Sequence, residues 1–285
     1  MNFEKMKKEL ILAKLNELPT LPIIYQKLVD TMANRHSTTN DIVKIISSDQ
    51  VSASKVLRIA NSPIFGLTGK ITNISQAVMH LGFFEIRNIL LAVSVMNLIK
   101  MGKVLQKFKP QDFWKHTIAV GVIARFIGKH LNIKNLEDLF LAGILHDIGK
   151  LFLFTEFYKE CRIVLDNVAE KGTKICDEEE AIFGYDHTEI GSWILEKWNQ
   201  PQEIIKTAKY HEIGYVDGKL DLTLAIIYVS NIYARKFKFG NPCDNYLLET
   251  DHRICEFLQL DETFFENSKD EMTKIYEEMI SIIFN

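Results

Sequence analysis

The chain has 285 residues, 47% of them hydrophobic and 25% charged, with a formal net charge of −3. That length supports one or two compact units with a sizeable core, and the composition excludes the disordered class of low hydrophobicity and high charge. The charge excludes a strongly basic polyanion binder, although it is unevenly spread: residues 241–285 hold eleven Asp and Glu against three Lys and Arg.

Helical periodicity runs from end to end, punctuated by only six prolines and fourteen glycines. Apolar residues recur at three- and four-residue steps, so an all-α fold is expected. The first residues, MNFEKMKKELILAKL, alternate charged and apolar side chains. They offer no uninterrupted apolar region and no small-residue cleavage site, so no secretory signal is read there and a cytoplasmic location is expected. Leu18, Leu21, Leu28 and Met32 form a helical stripe led by prolines. Thr38 with Asp41, and Asn73 with Gln76, have the spacing of capping boxes. Ser62-Pro63 stops the helix ending near Asn61, and Gly82 can supply a left-handed cap after Val78 to Leu81.

The apolar run from Ile89 to Ile99 falls short of the roughly 20 residues that cross a bilayer, so a buried helix is expected and no membrane partner. The polar stretch GKVLQKFKPQD, residues 102–112, marks a boundary, and composition changes again at Gly240-Asn241-Pro242. Three parts follow: an N-terminal helical part over 1–105, a central helical bundle over 106–240, and an acidic C-terminal helical segment over 241–285. In the last, Met272, Ile275, Met279 and Ile282 form an apolar stripe expected to pack on the protein itself. Cys161, Cys176, Cys243 and Cys255 are widely spaced with no CxxC pair, which supports neither a thiol redox motif nor a zinc knuckle.

The chemistry concentrates in LFLAGILHDIGK, from Leu139 to Lys150. His146 and Asp147 close an apolar helix, where both are costly to bury without partners, and a metal ion is a natural one. Lys150 lies three residues beyond Asp147 on the same helix face, where its ammonium could meet a phosphate; an ordinary solvated lysine is the plain alternative. Neutral imidazoles with one carboxylate suit Mn, Fe, Ni or Zn better than Ca or Mg, and Asp147 is the one carboxylate the sequence places to bridge two ions. His36, His80, His130 and His252 have no motif around them.

LPTLP at Leu18 to Pro22, IISSDQVSASKVLRIANSPIFG at Ile45 to Gly66 and ISQAVMHLGFFEIRNILL at Ile74 to Leu91 resemble, in order, the signatures of HDOD domains. HDIGK resembles the motif that names the HD phosphohydrolases. His116 in FWKHTIAVGVIARF matches the place of that family's first metal histidine. His187 in DHTEIGSWIL resembles the H-x-E-I-G segment of HD-GYP phosphodiesterases, and Tyr210-His211-Glu212 resembles their HHE. The resemblance implies an HD-like helical bundle with an N-terminal helical subdomain. It also implies a metal set of His116, His146, Asp147, His187 and His211, with Asp147 and Lys150 in catalysis if any hydrolysis is retained. Three features depart from the enzymes: Asn231 in AIIYVSNIYAR stands where they carry an aspartate, Tyr210 replaces an imidazole, and no GYP element follows His211.

Two functions therefore compete. Resemblance to HDOD implies a non-catalytic bacterial signal-transduction module with a partly retained metal site and a signalling protein or nucleotide as its partner, which accounts for Asn231 and Tyr210. A metal-dependent phosphohydrolase acting on a nucleotide or cyclic dinucleotide accounts for the survival of His116, His146, Asp147, Lys150, His187 and His211. A third reading, a helix-turn-helix over Ile42 to Ile59, lacks a turn glycine at Ser48-Asp49 and offers phosphates only Lys55 and Arg58, so DNA is not an expected partner.

Overall fold

In the computed structural model, residues 3–66, 69–98, 109–244, 246 and 249–284 are described. Most of the boundary expected at residues 102–112 lies outside them, as does Ile99. The N-terminal half comprises α1 (Phe3–Glu17), α2 (Ile23–Ala33), α3 (Thr39–Ser47), α4 (Gln50–Ala60) and α5 (Ile74–Leu98). Local chemistry sets their ends. Asp41 accepts from the Thr38 backbone N–H at 2.9 Å, closing the expected box at the start of α3. Asn73 accepts from Gln76 N at 2.9 Å, but the Gln76 side chain reaches back to Thr72 N instead, so that second box is shifted by one residue. Gly82 breaks α5 with φ 81°, a conformation that costs glycine little and other residues much. The segment Ile74–Met96 is long and apolar enough to cross a membrane by composition, yet Ile86, Ile89, Leu90, Leu91 and Val95 are fully buried inside this protein.

The central bundle runs through α6 (Pro110–His130), α7 (Leu136–Leu145), α8 (Ile148–Glu156), α9 (Tyr158–Lys171), α10 (Ile175–Phe183), α11 (His187–Lys197) and α12 (Gln202–Tyr210). A minimal antiparallel hairpin, β1 (Tyr215–Val216) and β2 (Lys219–Leu220), leads into α13 (Leu222–Lys236). Helices α6, α7 and α13 pack on one another, while α8 lies against α11. Beyond them, α14 (His252–Leu258) precedes α15 (Glu262–Phe284), which packs back on α6 and α4. The expected C-terminal stripe is what docks: Met272 and Met279 are fully buried, and Tyr276 between them stacks on Phe239 at 4.3 Å. Ile275 and Ile282 lie partly buried at its edge.

The segment NSPIFG joins the two halves. Asn61 donates to the Ile71 carbonyl and accepts from the Ile71 N–H, both at 2.8 Å, clamping the short turn Pro63–Phe65 against the end of α4. Arg125 of α6 then donates to the Ile64 carbonyl at 3.2 Å, lies over the Phe65 ring, and pairs with Glu85 of α5 at 2.8 Å. These signature residues are packing and capping groups. Helices α3 and α4 follow one another closely, but α4 buries Val56, Ile59 and Ala60, packing against α5 and α15.

Burial pushes the Glu85 carboxyl up to about 7, outweighing the attraction of Arg125, and its Oε1 has no hydrogen-bond partner. The folded state thus holds this proton more tightly than the unfolded chain. Stability owed to Glu85 should be greatest in acid and should fall as pH climbs from about 4.5 to about 7. Urea unfolding across that window should show the decline in the natural protein and a flatter profile in Glu85→Gln.

Candidate metal centre

The HD pair occupies the joint between two helices. His146 keeps helical torsions at the end of α7, and Asp147, with φ −100° and ψ 17°, breaks the run and begins α8. Two residues later Gly149 explains why the motif carries glycine: a Cβ there would overlap the backbone carbonyl oxygen of His187. Its absence lets α8 touch the first residue of α11, which brings His187 beside Asp147. His116 comes from the middle of α6, His211 follows α12, and Asn231 lies on α13. The structure brings all five sequence-predicted residues into one fully buried cluster, although they come from separate elements.

Three imidazoles are oriented alike. His146 donates through Nδ1 to the Gly143 carbonyl at 2.7 Å, His211 to the Ala208 carbonyl at 2.9 Å, and His187 to Glu179 Oε2 at 2.6 Å. Those bonds assign the proton to Nδ1 and turn each Nε2 inward. Nε2 of His187 and His211 lie 3.3 and 3.2 Å from Asp147 Oδ1, and Nε2 of His146 lies 3.3 Å from Asp147 Oδ2. Glu212 Oε1 joins them, 3.5 Å from His211 Nε2. A fixed outer hydrogen bond with an inward nitrogen is the arrangement that metal-binding histidines adopt.

His116 differs. Its Nε2 lies 3.1 Å from Asn231 Oδ1, the same oxygen that accepts from Arg235 Nε at 3.2 Å. An arginine nitrogen only donates, so it fixes the orientation of the amide, and the amide oxygen in turn fixes the His116 proton on Nε2. Its Nδ1 is buried without a partner.

The buried charges do not cancel. Asp147, Glu179, Glu212 and Asp244 face only Lys150 and Arg235 as permanent cations within this cluster of described residues. Burial lowers His116 and His146, leaving them neutral. For His187 burial acts the same way but Glu179 outweighs it and holds the ring well above its ordinary value; Asp147 and Glu212 likewise raise His211. Burial would also raise Asp147, but Lys150 above all, with the imidazoles, holds that carboxyl well below its usual range. Two protons on His187 and His211, or one divalent cation, would balance the cluster. Nε2 of His146, His187 and His211, Nδ1 of His116, Asp147 Oδ1 and Glu212 Oε1 all lack hydrogen-bond partners while buried, and they fall into two groups that share Asp147, one with His187, His211 and Glu212 and one with His116 and His146, so the donors fit a cation. Cys176 lies on the other side of the His187 ring, its Sγ 3.9 Å from Nδ1, where it forms a separate group with Glu179.

Lys150 is fully buried and donates to Asp147 at 3.1 Å, which sets aside the plain alternative of a solvated lysine. One expectation needs correction. Asp147 is not alone, because Glu212 shares the cluster. Sequence reasoning missed Glu179, Arg235 and Asp244 as well. Only Glu212 carried a signal, its place directly after His211.

A helical fold of this kind, with an HD pair at a helix joint and histidines converging on it, defines the HD-type class. The HDOD domain model matches residues 18–213, and the chain belongs to the HDOD family. Its fold is similar to that of an HDOD domain protein of unknown function from Geobacter sulfurreducens, with 22% identity, 99% of this chain and 98% of that one covered, and a TM-score of 0.79. A protein from Shewanella amazonensis provisionally named a phosphohydrolase is similar at 24% identity, with 96% and 97% covered and a TM-score of 0.75. A curated, uncharacterised protein of Treponema pallidum (strain Nichols) is 27% identical over 202 residues, covering 70% of this chain; the match spans 38% of that protein's length.

Because the Gly149 contact is backbone against backbone, no side chain can rotate to relieve it. Gly149→Ala should cost about 3 kcal/mol in urea unfolding, or prevent folding.

Proposed function

We propose that this chain is a cytoplasmic regulatory HDOD module that holds a divalent transition metal and binds its signalling ligand or protein partner without hydrolysing it. The observation that carries the reading is the chain Arg235–Asn231–His116. Where the enzymes it resembles keep an aspartate, an amide locked by a guanidinium puts a proton on His116 Nε2 and sets a permanent cation beside the cluster. Asp147 with His187, His211 and Glu212 on one side, and with His146 and His116 Nδ1 on the other, keeps unpartnered donors that would hold the ion, of the Mn, Fe, Ni or Zn kind. Such an ion would polarise a phosphoryl oxygen. The chain's own residues bind and orient: Lys150 holds Asp147, and Glu179 holds His187.

Hydrolysis of a nucleotide or cyclic dinucleotide is the second reading, favoured by the survival of Lys150 beside Asp147.

Protein purified without added metal should contain a first-row transition metal by elemental analysis, and Asp147→Ala should lose it. Asn231→Asp adds negative charge beside His116 and should tighten retention by about tenfold or more. Equal metal content in Asp147→Ala would sink the metal half of the proposal. Manganese-dependent cleavage of a cyclic dinucleotide by the natural protein, abolished in Asp147→Ala, would replace the regulatory half with the hydrolase.

A further inference from the structure

Beside the imidazoles lies a cationic pair that the metal set does not use. Lys150 on α8 and Arg235 on α13 both turn toward Asp244, whose carboxylate is almost wholly buried. Lys150 Nζ donates to Oδ2 at 3.3 Å; Arg235 donates through Nη1 to Oδ1 and through Nη2 to Oδ2, the latter at 3.3 Å. That two-pronged geometry is the one guanidinium groups use for carboxylates and phosphates alike. We propose that Lys150 and Arg235 form a binding subsite for a phosphoryl oxyanion, and that Asp244 occupies it as an internal stand-in which the ligand displaces.

The cations belong to packed helices, whereas the carboxylate belongs to the loop that follows α13. The loop is pressed into place. Gly240 sits where a Cβ would come within 2.6 Å of the Asp112 carbonyl and closer still to His116 N, and Asn241 N donates to that same carbonyl at 2.9 Å. Cys243, next to Asp244, has φ 73°, a left-handed conformation that strains a residue with a side chain. The stand-in is therefore held by a loop under local strain. A cavity of about 340 Å³ lies against it, lined in part by Arg235, Lys238, Asn241 and Asp244, with the exposed Lys238 supplying a third positive charge.

A phosphoryl group suits the pair better than a carboxylate does. Both Asp244 oxygens are already used, Oδ1 by Arg235 and Tyr246 N, and Oδ2 by Arg235 and Lys150. A phosphoryl group brings further oxygens, and as a monoanion it replaces the Asp244 charge without adding to the negative excess of the cluster. Lys150 also links the subsite to Asp147 at 3.1 Å, so a ligand there would sit beside the imidazole cluster. The subsite deepens the regulatory reading by naming the ligand class, and it rests on that reading only for its consequence, because neither cation needs a metal in order to bind an anion.

The test is anion rescue of stability, followed by thermal unfolding in EDTA. Asp244→Ala removes the carboxylate that Arg235 grips with both prongs and that Lys150 contacts besides Asp147, and its midpoint should fall by roughly 5 °C or more. Inorganic phosphate, compared with chloride at matched ionic strength, should restore about half of that loss or more in a saturable way. Acetate should restore less, and the natural protein, with Asp244 in place, should respond little. Asp244→Asn, which keeps the side-chain volume, gives the same comparison if the alanine variant does not fold. Adding Arg235→Gln should abolish the response to phosphate. The proposal is overturned if phosphate does no better than chloride in either variant, or if acetate restores as much as phosphate, which would make Asp244 a structural counter-ion only. Since EDTA removes any metal, loss of the metal reading in elemental analysis and failure of the rescue remain separate results.

Discussion

A carboxylate taken completely out of water must be answered by cations or donors within a few ångströms, and in this protein Asp147 imposes that demand on everything around it. Its two oxygens draw Lys150 and three histidine Nε2 atoms from α7, α8, α11 and the end of α12. No single element could meet the requirement. The joint between α7 and α8, the glycine contact of α8 with α11 and the close grouping of α6, α7 and α13 are all conditions for meeting it.

The answer is incomplete in a particular direction. Three Nε2 atoms, His116 Nδ1 and three carboxylate oxygens remain buried without hydrogen-bond partners, and the cluster carries more negative than positive permanent charge. Buried groups left in that condition cost several kcal/mol together, a cost that folds retain where a ligand or proton repays it. The same imbalance explains why His187 and His211 hold protons readily while His116 and His146 do not: the first two face Glu179, Asp147 and Glu212, and burial dominates the others.

One face of this centre has been rebuilt relative to the enzymes the chain resembles. Asn231 cannot counter a cation, and Arg235, one turn further along α13, supplies a positive charge of its own. That charge is met by Asp244, from the loop that follows α13. His116 is left facing an amide oxygen on α13 in place of a carboxylate.

Much of the fold was legible along the chain because it rests on local rules. Thr38 with Asp41, the proline after Ser62, the positive φ of Gly82 and the 3-4 stripe around Met272 each act within a few residues, where spacing alone decides the outcome. The histidines and Asp147 were legible through motif resemblance, and Glu212 only as a neighbour of His211. Glu179, Arg235 and Asp244 could not be read. In sequence they are ordinary charges, one in the run DEEE, one in YARK and one in an acidic tail. Whether a charged side chain faces water or a buried partner depends on what another helix, distant in sequence, lays over it. The sequence by itself therefore determined which groups could do chemistry, and tertiary packing alone decided which charges lost their water and had to find one another.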